Sequence, residues 1–215
     1  MKHWGKQTAF LDHIAQARAC RLCPKMESVP VIADLAPGHT RTRVMLVGQA
    51  PGIREPGENK LFAYTAGTTL FKWMHTYCGV EEETFRSQIF MAAVCRCFPG
   101  KTQAGGDRVP SREEIANCAK WLDEEIAMIQ PRLIIALGKL AMGRFLEMKN
   151  RKLVDVVGDF HTSDYPGLPP DCQVLPLPHP SGASTWHQRD PGKSLLVQAL
   201  RKLRDHPEFT RATRG

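Results

Sequence analysis

Three sets of residues in this chain carry types and spacings that can do chemistry. Cys20-x-x-Cys23 brings two thiolates to one centre, and a tetrahedral zinc or an iron–sulfur cluster needs four. Cys97, after a strand, and Cys118, in the first turn of a helix, are the best candidates for the second pair. Cys95 competes with Cys97, because two residues apart in a loop either thiol can turn toward the centre. Spacing alone does not separate zinc from iron–sulfur. Cys78 and Cys172 read as small buried hydrophobes. The second set is His179-Pro180-Ser181-Gly182, where an imidazole can donate a hydrogen bond to a leaving group and Ser181 with the Gly182 backbone can hold a phosphate. The third is Gly48-Gln49-Ala50-Pro51-Gly52, a turn whose amides can form an oxyanion-type nest. Phe62, in the loop beyond it, can stack on a flat base.

The elements that must position these groups follow from apolar periodicity. Val44–Val47, Ile89–Val94, Leu133–Leu137 and Gln173–Leu177 read as buried strands, and Val154–Val157 as a further one. Helices are expected over Thr8–Ala19, Ala66–Tyr77, Lys139–Met148 and Gly192–His206. Ser111 and Glu114 form a capping box opening another, whose apolar stripe is Ile115, Cys118, Leu122, Ile126 and Ile129. Apolar strands alternating with amphipathic helices predict an α/β fold, a three-layer α/β/α sandwich around a short, mainly parallel sheet. Ligands in such folds bind beyond the carboxyl ends of the strands, where Gly48-Gln49, Cys97 and His179 all fall.

The 215 residues are expected to form a single domain, with 1–42 supplying an N-terminal helix and cysteine loop and 207–215 a frayed tail. A 42% hydrophobic, 24% charged composition excludes wholesale disorder and collagen-like repeats. No run approaches the ~18 apolar residues of a membrane span, and no apolar signal core follows Met1, so a cytoplasmic location is expected. The net charge of +7 leans toward a polyanionic partner. From Ala183 onward there are seven Lys/Arg and three Asp/Glu, which fits a phosphate-facing surface. Seven cysteines, an odd number, argue against a disulfide framework.

With these motifs in order, the chain resembles the uracil-DNA glycosylase superfamily, most closely its iron–sulfur families 4 and 5, over roughly Cys20 to Leu203. Gly48–Gly52 resembles the motif Gly-Glu-Ala/Gly-Pro-Gly, Phe62 with Ala66-Gly67 the segment Pro-Phe-x-x-x-Ala-Gly, and Pro131–Gly138 the strand Arg-Pro-x-Ile-Ile-x-Leu-Gly. His179-Pro180-Ser181 is similar to the second catalytic motif, and Cys20, Cys23, Cys97 and Cys118 follow the order of the four cluster ligands. The resemblance implies a structural [4Fe–4S] cluster, a monomer acting on DNA, and hydrolysis of the bond joining a deaminated base, uracil first, to deoxyribose. The base must leave the stack to be reached. His179 and the Gly48, Gln49 and Ala50 backbone would then stabilise the departing anion, with Phe62 as platform, Ser181 beside the substrate, Gly182 in a loop wedged into the duplex, and Arg189 and Lys193 on the DNA backbone.

Two departures bear on specificity. Gln49 stands where families 4 and 5 carry Glu, and Ala93 where family 4 places the Asn that reads the uracil edge. The family 1 motif Gly-Gln-Asp-Pro-Tyr shares Gln49, but its water-activating Asp corresponds to Ala50, which leaves Glu55 as the nearest carboxylate. These departures favour an alternative reading, a cluster-bearing module that binds lesions or abasic sites without cutting. A nuclease is disfavoured by the lack of a carboxylate cluster for magnesium.

Overall fold

The computed structural model describes residues 3–182 and 184–215. Strands β1 (Val44–Gly48), β2 (Phe90–Ala93), β3 (Leu133–Leu137), β4 (His161–Thr162) and β5 (Gln173–Leu177) form one sheet in the order β2-β1-β3-β5-β4. Every neighbouring pair is parallel except β4 and β5. The central strands are buried along their whole length, as expected of a sheet covered on both faces. Alternate side chains divide the core in two. Met45, Val47, Ile134, Ala136 and Val174 point to one face, where α1 (His3–Ala19), α5 (Arg112–Ile129) and α6 (Lys139–Phe145) cover them. Val44, Leu46, Leu133, Ile135 and Leu175 point to the other, toward α3 (Thr65–Trp73), α4 (Glu82–Gln88), α7 (Gly192–Asp205) and α8 (Pro207–Arg214), while the single turn α2 (Glu55–Glu58) lies between β1 and α3. The expected three layers are present.

Local signals explain most element boundaries. Ser111 caps α5 by accepting the Glu114 N–H while the Glu114 carboxylate accepts the Ser111 N–H. The α5 stripe buries Cys118, Leu122, Ile126 and Ile129 as its spacing predicts, and adds Trp121 and Glu125. On α1 the buried stripe is Phe10, His13, Ile14 and Ala17, whereas Leu11 is exposed. The α3 helix passes into a π-helical turn over Met74–Cys78. Among the described residues no helix is long and apolar enough to cross a membrane.

Two expectations are corrected. Val154–Val157 is not a strand: a 3₁₀ turn spans Leu153–Asp155, and the Val156 and Val157 amides bond back to the Leu153 carbonyl. The sheet edge is instead taken by β4, which pairs His161 with Val174. Residues 207–214 are not a frayed tail. Pro207 starts α8, the His206 ring accepts the Glu208 N–H, and the Phe209 ring is buried beside Phe85. One apolar anchor in a charged octapeptide gives too little periodicity to announce a helix.

Candidate active site

The carboxyl ends of β1 and β5 bring the glycine turn and the histidine motif to the same edge of the sheet. Gly48 ends β1 opposite Ala93 on β2, and beyond the strand the Gly48 and Gln49 carbonyls accept the Val94 and Cys95 amides. The backbone that forms the turn is therefore stitched to the backbone carrying the cysteines. Gln49 and Ala50 are half-buried, and among the described residues no acceptor is paired with the Ala50 N–H. Ala93, where the resemblance expects Asn, presents a buried methyl beside Gly48.

Phe62 reaches back over this strand end. A Cβ on Gly48 would stand 2.8 Å from Phe62 Cζ, so only glycine lets the ring lie there. Phe62 has φ 54°, and both guanidinium Nη atoms of Arg86 donate to the Leu61 and Phe62 carbonyls at 2.8 Å. Glu55 is buried inside the same loop. Its carboxylate accepts the Gly52 amide at 3.1 Å and also those of Phe62 and Ala63, so it ties the turn to the aromatic platform. Burial pushes the Glu55 carboxyl above the ordinary range, against the pull of those amides.

His179 lies two residues beyond β5, half-buried. The Ser181 N–H donates to its Nδ1 at 3.2 Å, which leaves the neutral ring with its proton on Nε2. Gly138, at φ 87° after β3, lets the ring pack close: a Cβ there would stand 3.2 Å from His179 Cδ2. Burial lowers the His179 pKa, the charge of Asp107 opposes that shift, and His187 reinforces it.

Asp107 and His187 were not foreseen. Asp107 lies in the Gly-rich loop before α5, with Oδ2 3.7 Å from where a Cβ on Gly52 would be, and Lys101 donates to it at 2.6 Å. His187 packs edge-on against Trp73, and its buried Nδ1 has no partner among the described residues. Neither residue belongs to a local motif, so nothing in the sequence pairs them with His179. Downstream, Gly182, Arg189 and Lys193 are exposed, and Lys193 lines a shallow depression along α7 with Arg201 and Lys202. Ala183, in the loop expected to wedge into the duplex, lies outside the described residues.

The cysteines gather separately. Cys20, Cys23, Cys97 and Cys118 line one cavity of about 270 Å³ together with Arg96, Asn117 and Trp121, while Cys95 is fully buried behind it. Asn117 Nδ2 lies 3.7 Å from Cys23 Sγ, and Cys95 donates to Cys118, favouring the Cys118 thiolate. Among the described residues no three His, Cys, Asp or Glu groups converge as a site for a single metal ion. A network of four side chains backs the cavity: Arg96, which lines it, pairs with Glu125, both buried, and His13 bonds Glu124 at 2.8 Å and Glu125 at 3.3 Å. The network joins α1, which leads into Cys20 and Cys23, to α5, which carries Cys118, and the loop after β2, which carries Cys97.

Comparison with known proteins finds similarity along most of the chain. The family described as the uracil DNA glycosylase superfamily matches residues 37–204. A type-4 uracil-DNA glycosylase of Saccharolobus solfataricus is 28% identical over 199 residues, covering 91% of this chain and 85% of that protein. A type-4 uracil-DNA glycosylase of Pyrobaculum aerophilum is 30% identical over 159 residues, 72% and 73% of the two chains. A type-5 uracil-DNA glycosylase of the same organism is 28% identical over 122 residues, about half of each.

Proposed function

Because the chain belongs to the uracil DNA glycosylase superfamily, we propose that it hydrolyses the N-glycosidic bond of uracil, and of other deaminated bases, in DNA as a monofunctional glycosylase. The observation that carries the reading is the Ser181 amide bonded to His179 Nδ1. It commits the imidazole to a single donor, Nε2–H, in a buried setting that keeps the ring neutral.

The chemistry follows from that tautomer. As the C1′–N bond breaks, its electron pair leaves on the base, and the anion needs donors rather than a full acid. His179 Nε2–H and the amides of the Gly48–Ala50 turn supply them, and their low-dielectric setting strengthens each bond. Phe62 offers its ring as the platform for a base turned out of the stack, with Ser181 at the entrance and Ala93 on the floor. Glu55 holds the loop that carries the platform. Arg189 and Lys193 contact the DNA backbone, which positions the strand without reading sequence. In this reading water, rather than an amine of the protein, is the acceptor of the sugar.

Cys20, Cys23, Cys97 and Cys118 are proposed to hold a [4Fe–4S] cluster, and the cavity fits one. Burial and neighbouring thiolates push Cys97 up to about 12 and Cys23 upward, so four bare thiolates there repel and call for a cationic centre. Arg96 Nε and Trp121 Nε1, on residues lining the cavity, are buried without an acceptor among the described residues, and cluster sulfides would accept such donors. When bound, the cluster supplies iron–thiolate cross-links between the N-terminal loop, the loop after β2 and α5.

A second reading, a module that recognises lesions without cutting, is favoured by the Ala93 methyl and by Gln49 in place of a carboxylate. Single-turnover assay of uracil-containing duplex decides between them. Release of free uracil, abolished in His179→Ala, supports the glycosylase; tight, salt-sensitive binding to an abasic duplex with no base release from uracil, hypoxanthine or xanthine substrates supports the module.

A further inference from the structure

The glycine turn carries no carboxylate, and Glu55 is occupied by three backbone amides, yet a charged carboxylate does reach the site from elsewhere. Asp107 approaches Gly52 from the loop after β2, with Oδ2 3.7 Å from the position of a Gly52 Cβ, and its charge acts on the His179 ring. An isolated backbone bridge between Lys101 and Asp107 closes that loop into a small hairpin and brings the carboxylate toward the two catalytic segments, while the 2.6 Å ion pair of the two side chains lies exposed on its surface. Its side chain is exposed, so water reaches it.

We propose that Asp107 is a catalytic residue, the carboxylate that faces the sugar of the everted nucleotide and receives the proton of the attacking water. The inference rests on the glycosylase reading above. The glycosidic bond breaks first, its electron pair leaving on the base while positive charge develops on the sugar. The water oxygen then bonds to C1′ and loses one proton to the Asp107 carboxylate, which passes it to solvent; the base anion takes a proton from solvent, so one water is consumed and no other reactant is needed. The same negative charge stabilises the cationic sugar while the imidazole and the turn amides stabilise the anion on the opposite side. The charged and titratable groups facing Asp107 are Lys101 on its own hairpin and His179, with His187 beyond it, on the segment after β5.

The test is single-turnover uracil release by the purified holoprotein across pH 5 to 9, for the wild type and for Asp107→Asn, Asp107→Glu and Lys101→Met. Asp107→Asn is expected to slow release about 10²-fold at neutral pH and to move the acid limb of the profile to lower pH, because His179 loses the charge that favours its protonation. Asp107→Glu should recover part of the rate, and Lys101→Met should stay within several-fold of wild type, since an exposed ion pair contributes little to the fold. Wild-type rate and profile in Asp107→Asn would overturn the assignment, as would a Lys101→Met defect equal to that of Asp107→Asn, which would mark the pair as merely structural. No release by the wild type itself would instead remove the glycosylase reading, and the role of Asp107 with it.

Discussion

The ring of Phe62 closes over the bare Cα of Gly48, leaving no room for a methyl group: Cζ stands 2.8 Å from where a Cβ would be. The platform and the strand end are thus fitted to each other, and the fit is locked behind the ring by Arg86 on the Leu61 and Phe62 carbonyls.

Gly48→Ala is therefore expected to displace the ring. The strand itself can accept alanine, so the cost in stability should be about 1–3 kcal/mol, the range for overpacking. The rate of base release should fall by more than that cost explains, on the order of 10²-fold, because a misplaced platform loses orientation. Thermal melting and single-turnover release on one preparation check both; a rate loss larger than the stability loss explains is the expected outcome, and a normal rate would show that the ring does not receive the base.

His179 sets the pH dependence. Its pKa is lowered from 6.5 by burial, so the working neutral ring is present at neutral pH and is lost as pH falls through that lowered value. Activity should accordingly hold from neutral to mildly alkaline pH and drop on the acid side below 6.5, and the limb should vanish in His179→Ala together with most of the rate. For stability the sign is the same. A histidine whose folded pKa is depressed contributes stability above its unfolded value and loses it as pH falls through the folded one.

Cys97 and Cys95 should behave differently although only Arg96 separates them. Cys97 lines the cavity and Cys95 is buried behind it, donating to Cys118. Cys97→Ser is expected to lose iron and the broad absorbance near 400 nm characteristic, roughly, of thiolate-ligated clusters. Cys95→Ser should retain both. Iron and sulfide analysis of the two variants, purified in parallel without oxygen, gives the answer, and the reverse result would exchange the ligand assignment.

Glu125 anchors the cysteine-bearing segments. Its carboxylate pairs with Arg96 and bonds His13, all three side chains being nearly inaccessible. Glu125→Ala leaves a buried guanidinium without its counter-charge, a change that costs about 3–5 kcal/mol. Chemical denaturation should show the loss directly, and reduced cluster content should accompany it, because α1 and α5 are no longer clamped to the loop after β2.

Much of this molecule is legible along the chain. The four parallel strands announce themselves as short apolar runs, the α5 helix by its capping box and stripe, and the histidine and glycine turns by flanking prolines and glycines. Each of these signals is local: side-chain period, a cap, a fixed φ. The misreadings are local too. Val154–Val157 has the composition of a strand but no partner to pair with, and α8 is held by one buried phenylalanine that no periodic pattern reveals.

What only the tertiary structure decided is which distant groups meet. The sequence by itself names His179, Gly48 and the cysteines as candidates. It does not say that Asp107 reaches Gly52, that Gly138 makes room for the imidazole, or that Cys97 rather than Cys95 lines the cavity. Those facts depend on the path of loops whose residues have little intrinsic conformational preference. Their positions come from the backbone bonds and buried ion pairs closing them against the sheet, and no periodicity along the chain encodes such contacts.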